Sequence, residues 1–223
     1  MMRVVILGAG GQARDVAWLI HEINQAHRIA AAHYRPSPYK HVGYIGGAKP
    51  GPHDSSTLGD DDWLRIHRDE YDAFALGIGT PSVRLRVAGE LSITYPDAHW
   101  PVLVHPTAII DRDSATIERG AMIGAGVVGS VNIKIGAFSC INLGVTIGHE
   151  AAIGEGVVIN HNASIAGGVR IGNGALIGTN ATVLQYLTVG EGATVGAGAV
   201  VTHDVPAGET WVGVPARQMR KAG

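Results

Sequence analysis

Residues 141–178 read INLGVTIGHEAAIGEGVVINHNASIAGGVRIGNGALIG, and an isoleucine returns at every sixth position: Ile141, Ile147, Ile153, Ile159, Ile165, Ile171 and Ile177. An amphipathic helix repeats at 3.6 residues and a half-buried strand at two, so a strict period of six belongs to neither. Extended both ways, the frame runs from Ile117 to Val201, and fourteen of its fifteen positions are Ile or Val, Gly129 being the exception. The next residue is usually Gly, Asn or another small one, and the residue four after is usually Ala, Val or Ser.

Such a repeat predicts a coil of short parallel strands. Each hexapeptide supplies one face and one corner, and its aliphatic residue points inward to stack on its equivalent in the next coil, about 4.8 Å away. Glycine and asparagine at the corners allow the tight turning, and small residues keep the narrow interior from overfilling. Three hexapeptides close a triangular coil of eighteen residues, so 117–206 make five coils. The preceding HPTAIIDRDSAT (105–116) keeps the pattern with one residue of slippage and reads as an irregular first coil.

Composition changes near residue 104, which divides the chain into domains at 1–103 and 104–223. From Val104 onward lie 21 of the 32 glycines but only three aromatics, Phe138, Tyr186 and Trp211. The first half reads as a small α/β unit. A strand is expected at Arg3–Leu7, then a Gly-rich turn and a helix whose Val16, Leu19, Ile20 and Ile23 recur at helical spacing. Further strands are expected at His41–Ile45 and Ala73–Ile78, with loops at RPSPYK (35–40) and GAKPGPHDSS (47–56).

A net charge of −2 over 223 residues argues against a general nucleic-acid binder, which needs a concentrated basic surface. One cysteine, Cys140, leaves no internal disulfide and fits a reducing compartment. No apolar run approaches the roughly 20 residues of a membrane span. The expectation is a soluble, cytoplasmic protein with neither nucleic-acid nor membrane partners.

The loop ILGAGGQAR (6–14) carries Gly8, Gly10 and Ala13 in a G-x-G-x-x-G/A pattern, which usually signals a dinucleotide. A dinucleotide site also wants an acid after the second strand for the adenosine ribose. Gly46 and Gly47 stand about where it belongs. The loop Gly8, Gly10, Gly11, Gln12, Ala13 and Arg14 is therefore read as a turn whose amides, at a helix N-terminus, can face phosphates; that these belong to a nucleotide sugar is implied by the family resemblance that follows.

The second half resembles the left-handed parallel β-helix of hexapeptide-repeat acyltransferases, and handedness comes from that resemblance. The whole chain resembles bacterial sugar acetyltransferases with a Rossmann-like N-terminal domain, a family that includes sialic-acid O-acetyltransferase relatives and enzymes that N-acetylate nucleotide-linked 4-amino sugars for surface glycans. The matching features are GAGGQAR, VHPTA (104–108), INLGVTIGHE (141–150), AGGVRIG (166–172) and VGVPAR (212–217).

His149 and Glu150 occupy the third and fourth positions of their hexapeptide, at a corner that exposes side chains. A neutral imidazole there can take a proton near neutral pH, and a carboxylate beside it can fix the tautomer; an ordinary polar corner pair has the same spacing. The resemblance implies His149 as general base and Glu150 as its orienting acid. It implies that Asn142 contacts the sugar, against the alternative of a corner asparagine, and that the Gly167 amide lies near the acetyl carbonyl, where a donor steadies an oxyanion. A second family histidine is replaced by Val158, and His161, three residues on, is the candidate substitute toward acetyl-CoA. Arg217, with Arg220 and Lys221, is a candidate for the phosphates of CoA.

The same scaffold resembles γ-class carbonic anhydrases, which hold zinc through three histidines. His149 and His161 fall on different sides of the coil, and His203 lies fifty-four residues, three coils, beyond His149. Three coils are about 14 Å, far beyond the roughly 2.1 Å of a zinc ligand, so no metal is expected. Cys140 reads as a packed thiol rather than a nucleophile. The resemblance implies direct transfer from acetyl-CoA to an amino sugar, in a homotrimer with sites between subunits; a sugar O-acetyltransferase and a non-catalytic scaffold are the alternatives.

Overall fold

The structure, a computed structural model, describes residues 1–30, 37–46 and 57–219. Strand β1 (Met2–Leu7) buries Val4, Val5, Ile6 and Leu7 and leads through the glycine turn into α1 (Gly11–Ala30), which buries Ala13, Val16, Leu19 and Ile20. Then follow β2 (Tyr39–Ile45), β3 (Thr57–Gly59), α2 (Asp61–Ile66), β4 (Ala73–Leu76) and α3 (Pro81–Thr94). The sheet order is β3-β2-β1-β4, parallel throughout.

Three features depart from the sequence reading. Strand β3 was not anticipated, since three residues, Thr57–Gly59, are too few to show a period. The strand expected at Ala73–Ile78 is the fourth in this sheet and stops at Leu76. Tyr39 and Lys40, placed in a loop, open β2. Residues 35–36 and the loop expected at 47–56 lie outside the described residues.

From Leu103 the chain winds into a parallel β-helix of two-residue strands, three to a coil. Position i pairs with i+18, as in Ile135↔Ile153 and Ile141↔Ile159, so isoleucines and valines form columns up the interior. Seven residues rather than six separate Ile110 from Ile117, and the surplus sits in the Asp111–Ser114 turn, where Ala115 N donates to Asp111 O. From Gly120 to Gly198 every sixth residue has positive φ: eight glycines, three asparagines, Phe138, Glu150 and Tyr186.

The three faces differ in their outward residues. One carries Thr116, Lys134, Ala152, Arg170 and Thr188 and is edged by Glu118, Glu155 and Glu191. A second is uncharged, with Ile109, Val128, Thr146, Ser164, Thr182 and Val200. The third is covered by the N-terminal unit, and its Met122, Cys140 and Val158 join that unit's core. The expected boundary falls inside the strand Leu103–Val104: Leu103 packs with the N-terminal core and Val104 against that of the coil.

Arg84 on α3 ties the two parts together. It is fully buried; Nη1 donates to Leu76 O and Ile78 O, both at 2.9 Å, and Nε donates to the Phe138 carbonyl of the coil. Burial pulls its pKa below the usual arginine range. The Phe138 ring, 5.1 Å from Trp100, closes over Gly120, where a side chain would strike it.

Candidate active site

The corner between strands Thr146–Ile147 and Ala152–Ile153 holds His149 and Glu150. Coils pass so closely here that a Cβ on Gly148 would collide with the Gly167 amide nitrogen. A Cβ on Gly167 would lie 2.5 Å from His149 Nε2, so the imidazole lies flat over a residue that must lack a side chain. His149 and Glu150 are both more than half exposed, with Nδ1 and Oε2 3.9 Å apart. That is ion-pair distance but too long for a hydrogen bond. Gly168 N and Tyr186 N secure the corner through His149 O and Gly167 O, while Gly167 N–H donates to no described group. At two other corners the equivalent amide is taken by a side chain, Ala137 N donating to Glu118 Oε2 and Glu155 N to Asn173 Oδ1; here an imidazole lies across it instead.

In the N-terminal turn the glycines divide into two roles. Gly8 has φ +107, and its absent Cβ would lie 2.6 Å from Gly77 O; a Cβ on Gly77 would lie 2.6 Å from Ala13 Cα. Gly8, Gly77 and Ala13 therefore let β1, β4 and α1 meet. Gly10 faces open space, Gly11 has only Arg14 Nη2 at 3.9 Å, and Arg14 is exposed. Since Ala13 is fully buried, what it offers a ligand is its backbone.

A crevice lined by Gly8, Gly46, Asp61, Ile78, Arg86 and Glu90 opens beyond the C-terminal ends of β1 and β2. In the order β3-β2-β1-β4, the connections diverge on either side of β1, the switch point where such sheets bind ligands. Asp61 was missed in the sequence because it follows β3, a strand too short to recognise. No acid follows β2 at Gly46, but the next strand brings one to the same crevice.

A second group gathers where α1 crosses the coil. Gln12, Asp15 and Trp18 line a pocket with Asn142 and His161. Gln12 Nε2 lies 3.7 Å from Cys140 Sγ, the thiol 3.6 Å from Asn142 Oδ1, and Asn142 Nδ2 donates to Asn160 Oδ1 at 3.1 Å. Asn142 is only 7% exposed and belongs to an internal asparagine ladder. Asn142 and His161 sit at the corner before the uncharged face, His149 at the corner after it, so one chain does not bring the two sets together.

Repeat models match within the coil: the six-repeat bacterial transferase hexapeptide model over residues 150–185, and the hexapeptide repeat of succinyl-transferase over 132–161 and 168–203. PerB from Caulobacter crescentus, solved with CoA and GDP-perosamine, is 25% identical, with TM-score 0.81 and 97% of each chain covered. WeeI from Acinetobacter baumannii AYE is 26% identical, with TM-score 0.78 over 98% of this chain and 100% of its own. The acetyltransferase domain of PglB from Neisseria gonorrhoeae FA1090, solved with acetyl coenzyme A, is 26% identical, with TM-score 0.68 over 98% and 99%. The chain is an acyltransferase of hexapeptide repeats, similar over its whole length to these sugar acetyltransferases. No curated protein sequence matches it significantly.

In this acetyltransferase the coil is the left-handed β-helix and the N-terminal unit the Rossmann-like domain of the family. Arg217 is exposed in the strand Arg217–Gln218, its Nη1 donating to Ala216 O; Arg220 and Lys221 lie outside the described residues. His203 lies three coils beyond His149, its Nδ1 2.9 Å from Thr202 Oγ1, and no group of three or more His, Cys, Asp or Glu among the described residues is placed to hold a metal. Burial pushes the Cys140 thiol up, away from the thiolate a nucleophile needs. No helix among the described residues is long and apolar enough to cross a membrane.

Proposed function

We propose that this acetyltransferase transfers the acetyl group of acetyl-CoA to the amine of a nucleotide-linked 4-amino-4,6-dideoxyhexose for surface glycan synthesis. The observation that carries this reading is the exposed His149 imidazole lying over the free Gly167 amide, in a chain similar over its whole length to PerB, solved with CoA and GDP-perosamine. His149 accepts a proton as the sugar nitrogen attacks the thioester carbonyl. The Gly167 N–H steadies the oxyanion, the C–S bond breaks, and the departing thiolate takes the proton back from the imidazolium. Glu150 acts by charge at 3.9 Å, and closes to a hydrogen bond as the imidazolium forms.

The acceptor's diphosphate lies at the open Gly10–Gly11 start of α1 with Arg14, and its nucleoside in the crevice beside Asp61. The donor runs along the His149 corner toward Arg217. The active assembly is a homotrimer closed around the uncharged face. Around a threefold axis, one edge of that face meets the opposite edge of the next copy, so the His149 corner of one protomer would meet the Asn142 and His161 corner of its neighbour.

The test is release of free thiol from acetyl-CoA with UDP-, GDP- and dTDP-linked amino sugars. Turnover with an amine is expected; turnover confined to hydroxyl sugars would replace the reading with O-acetylation. His149→Ala is expected to lower kcat at least about a hundredfold with the melting temperature unchanged, and retained activity would remove His149 as base.

A further inference from the structure

We propose that Tyr186 is a donor-binding residue, its ring forming a wall beside His149 against which the cysteamine end of the CoA arm lies. The inference rests on the transfer reaction proposed above. Three corner positions with positive φ carry neither glycine nor asparagine, and a side chain persists in that conformation where its surroundings require it. Phe138 closes over Gly120 and meets Trp100, and Glu150 faces His149. Tyr186, with φ 61, is 71% exposed and belongs to neither core, and its hydroxyl bonds to no described group.

The ring is aimed at the candidate active site. Tyr186 stands at the corner between strands Thr182–Val183 and Thr188–Val189, two coils beyond Glu150. A Cβ on Gly168 would lie 2.4 Å from Tyr186 Cδ1, and one on Gly167 would lie 2.5 Å from His149 Nε2. The imidazole of the preceding coil and the phenol ring of the following coil therefore converge on one pair of glycines, the pair that carries the free Gly167 amide. An acetyl oxygen at that amide sets the thioester beside both rings, and an arm that continues toward Arg217 must then pass Tyr186. The two methylenes next to the sulfur suit an aromatic face, and the amide after them suits the polar rim of a phenol.

Tyr186→Gly and Tyr186→Asn introduce residues that the coil itself places at equivalent corners, so both should fold. In steady-state kinetics of the full-length enzyme, each is expected to raise KM for acetyl-CoA about tenfold. KM for the nucleotide sugar should stay unchanged, and Tyr186→Phe should remain near wild type. Dividing the donor locates the contact. Inhibition by pantetheine should weaken about tenfold in Tyr186→Gly, whereas inhibition by adenosine 3′,5′-bisphosphate, the nucleotide half, should not change. An unchanged KM for acetyl-CoA, equal weakening of both halves, or a change of oligomeric state in light scattering would overturn the assignment while leaving the transfer reaction standing. If no nucleotide-linked amino sugar accepts the acetyl group, the transfer reaction falls, and calorimetry of pantetheine binding to wild type and Tyr186→Gly still decides the role of the ring.

Discussion

Glu150 is one of three residues other than glycine or asparagine that hold the left-handed corner conformation, with φ 61. A side chain there costs about 1 kcal/mol or more against glycine, and the carboxylate it places beside His149 is the return. Glu150→Gly is therefore expected to raise stability by about 1 kcal/mol while lowering kcat, read from paired melting curves and thiol-release rates. Gly167→Ala should do the reverse of a neutral change. Its methyl would enter the space of the imidazole, so kcat should fall about tenfold or more while circular dichroism stays that of the wild type.

At the scale of elements, the strut and the ion pair that order the N-terminal unit make separate predictions. Arg84→Met fills the volume but leaves the carbonyls of Leu76, Ile78 and Phe138 without their donor, at a cost of about 3 kcal/mol in chemical denaturation. Asp72 receives Arg3 N at 2.8 Å and Arg3 Nη2 at 2.7 Å, and those bonds hold its carboxyl at about 2. A carboxyl lowered by folding stabilises fully above its unfolded value of roughly 3.9. The stability gap between wild type and Asp72→Asn should be constant at neutral pH and close as pH falls from 4 toward about 2. His105, buried with Nε2 unpartnered and its pKa lowered by burial, works at milder pH. Stability should decline below its unfolded value of about 6.5, and His105→Gln should flatten that decline.

The coil was legible residue by residue because its stabilising contacts repeat at a fixed interval, so Ile141 and Ile159 announce their pairing in the primary structure. The His149 corner was legible through its local pattern. Contacts across the domain junction were not: Arg84 meets Phe138 across 54 residues, and no spacing rule links a helix position to a corner carbonyl. Asp15 and Trp18 escaped for the same reason, since α1 crosses the coil at an angle that neither periodicity encodes, whereas Asp61 follows a strand too short to show a period.

For the whole molecule, trimer formation has a direct test. Thr146→Arg places a charge on the uncharged face one residue from the core, and light scattering should report a folded monomer with little transferase activity; an intact, active trimer would place the interface elsewhere.

The corner rhythm also acts as a ruler. Positive φ recurs every six residues and pairing every eighteen, so removing a regular segment such as 171–188 keeps each remaining side chain on its own face. Any deletion that is not a multiple of eighteen rotates everything downstream onto the wrong side. Between His149 and the Arg217 tail, the reach available to an extended donor in the proposed reaction thus changes only in whole steps of about 4.8 Å: the proposed catalytic corner and its proposed far anchor can be moved apart only by whole coils.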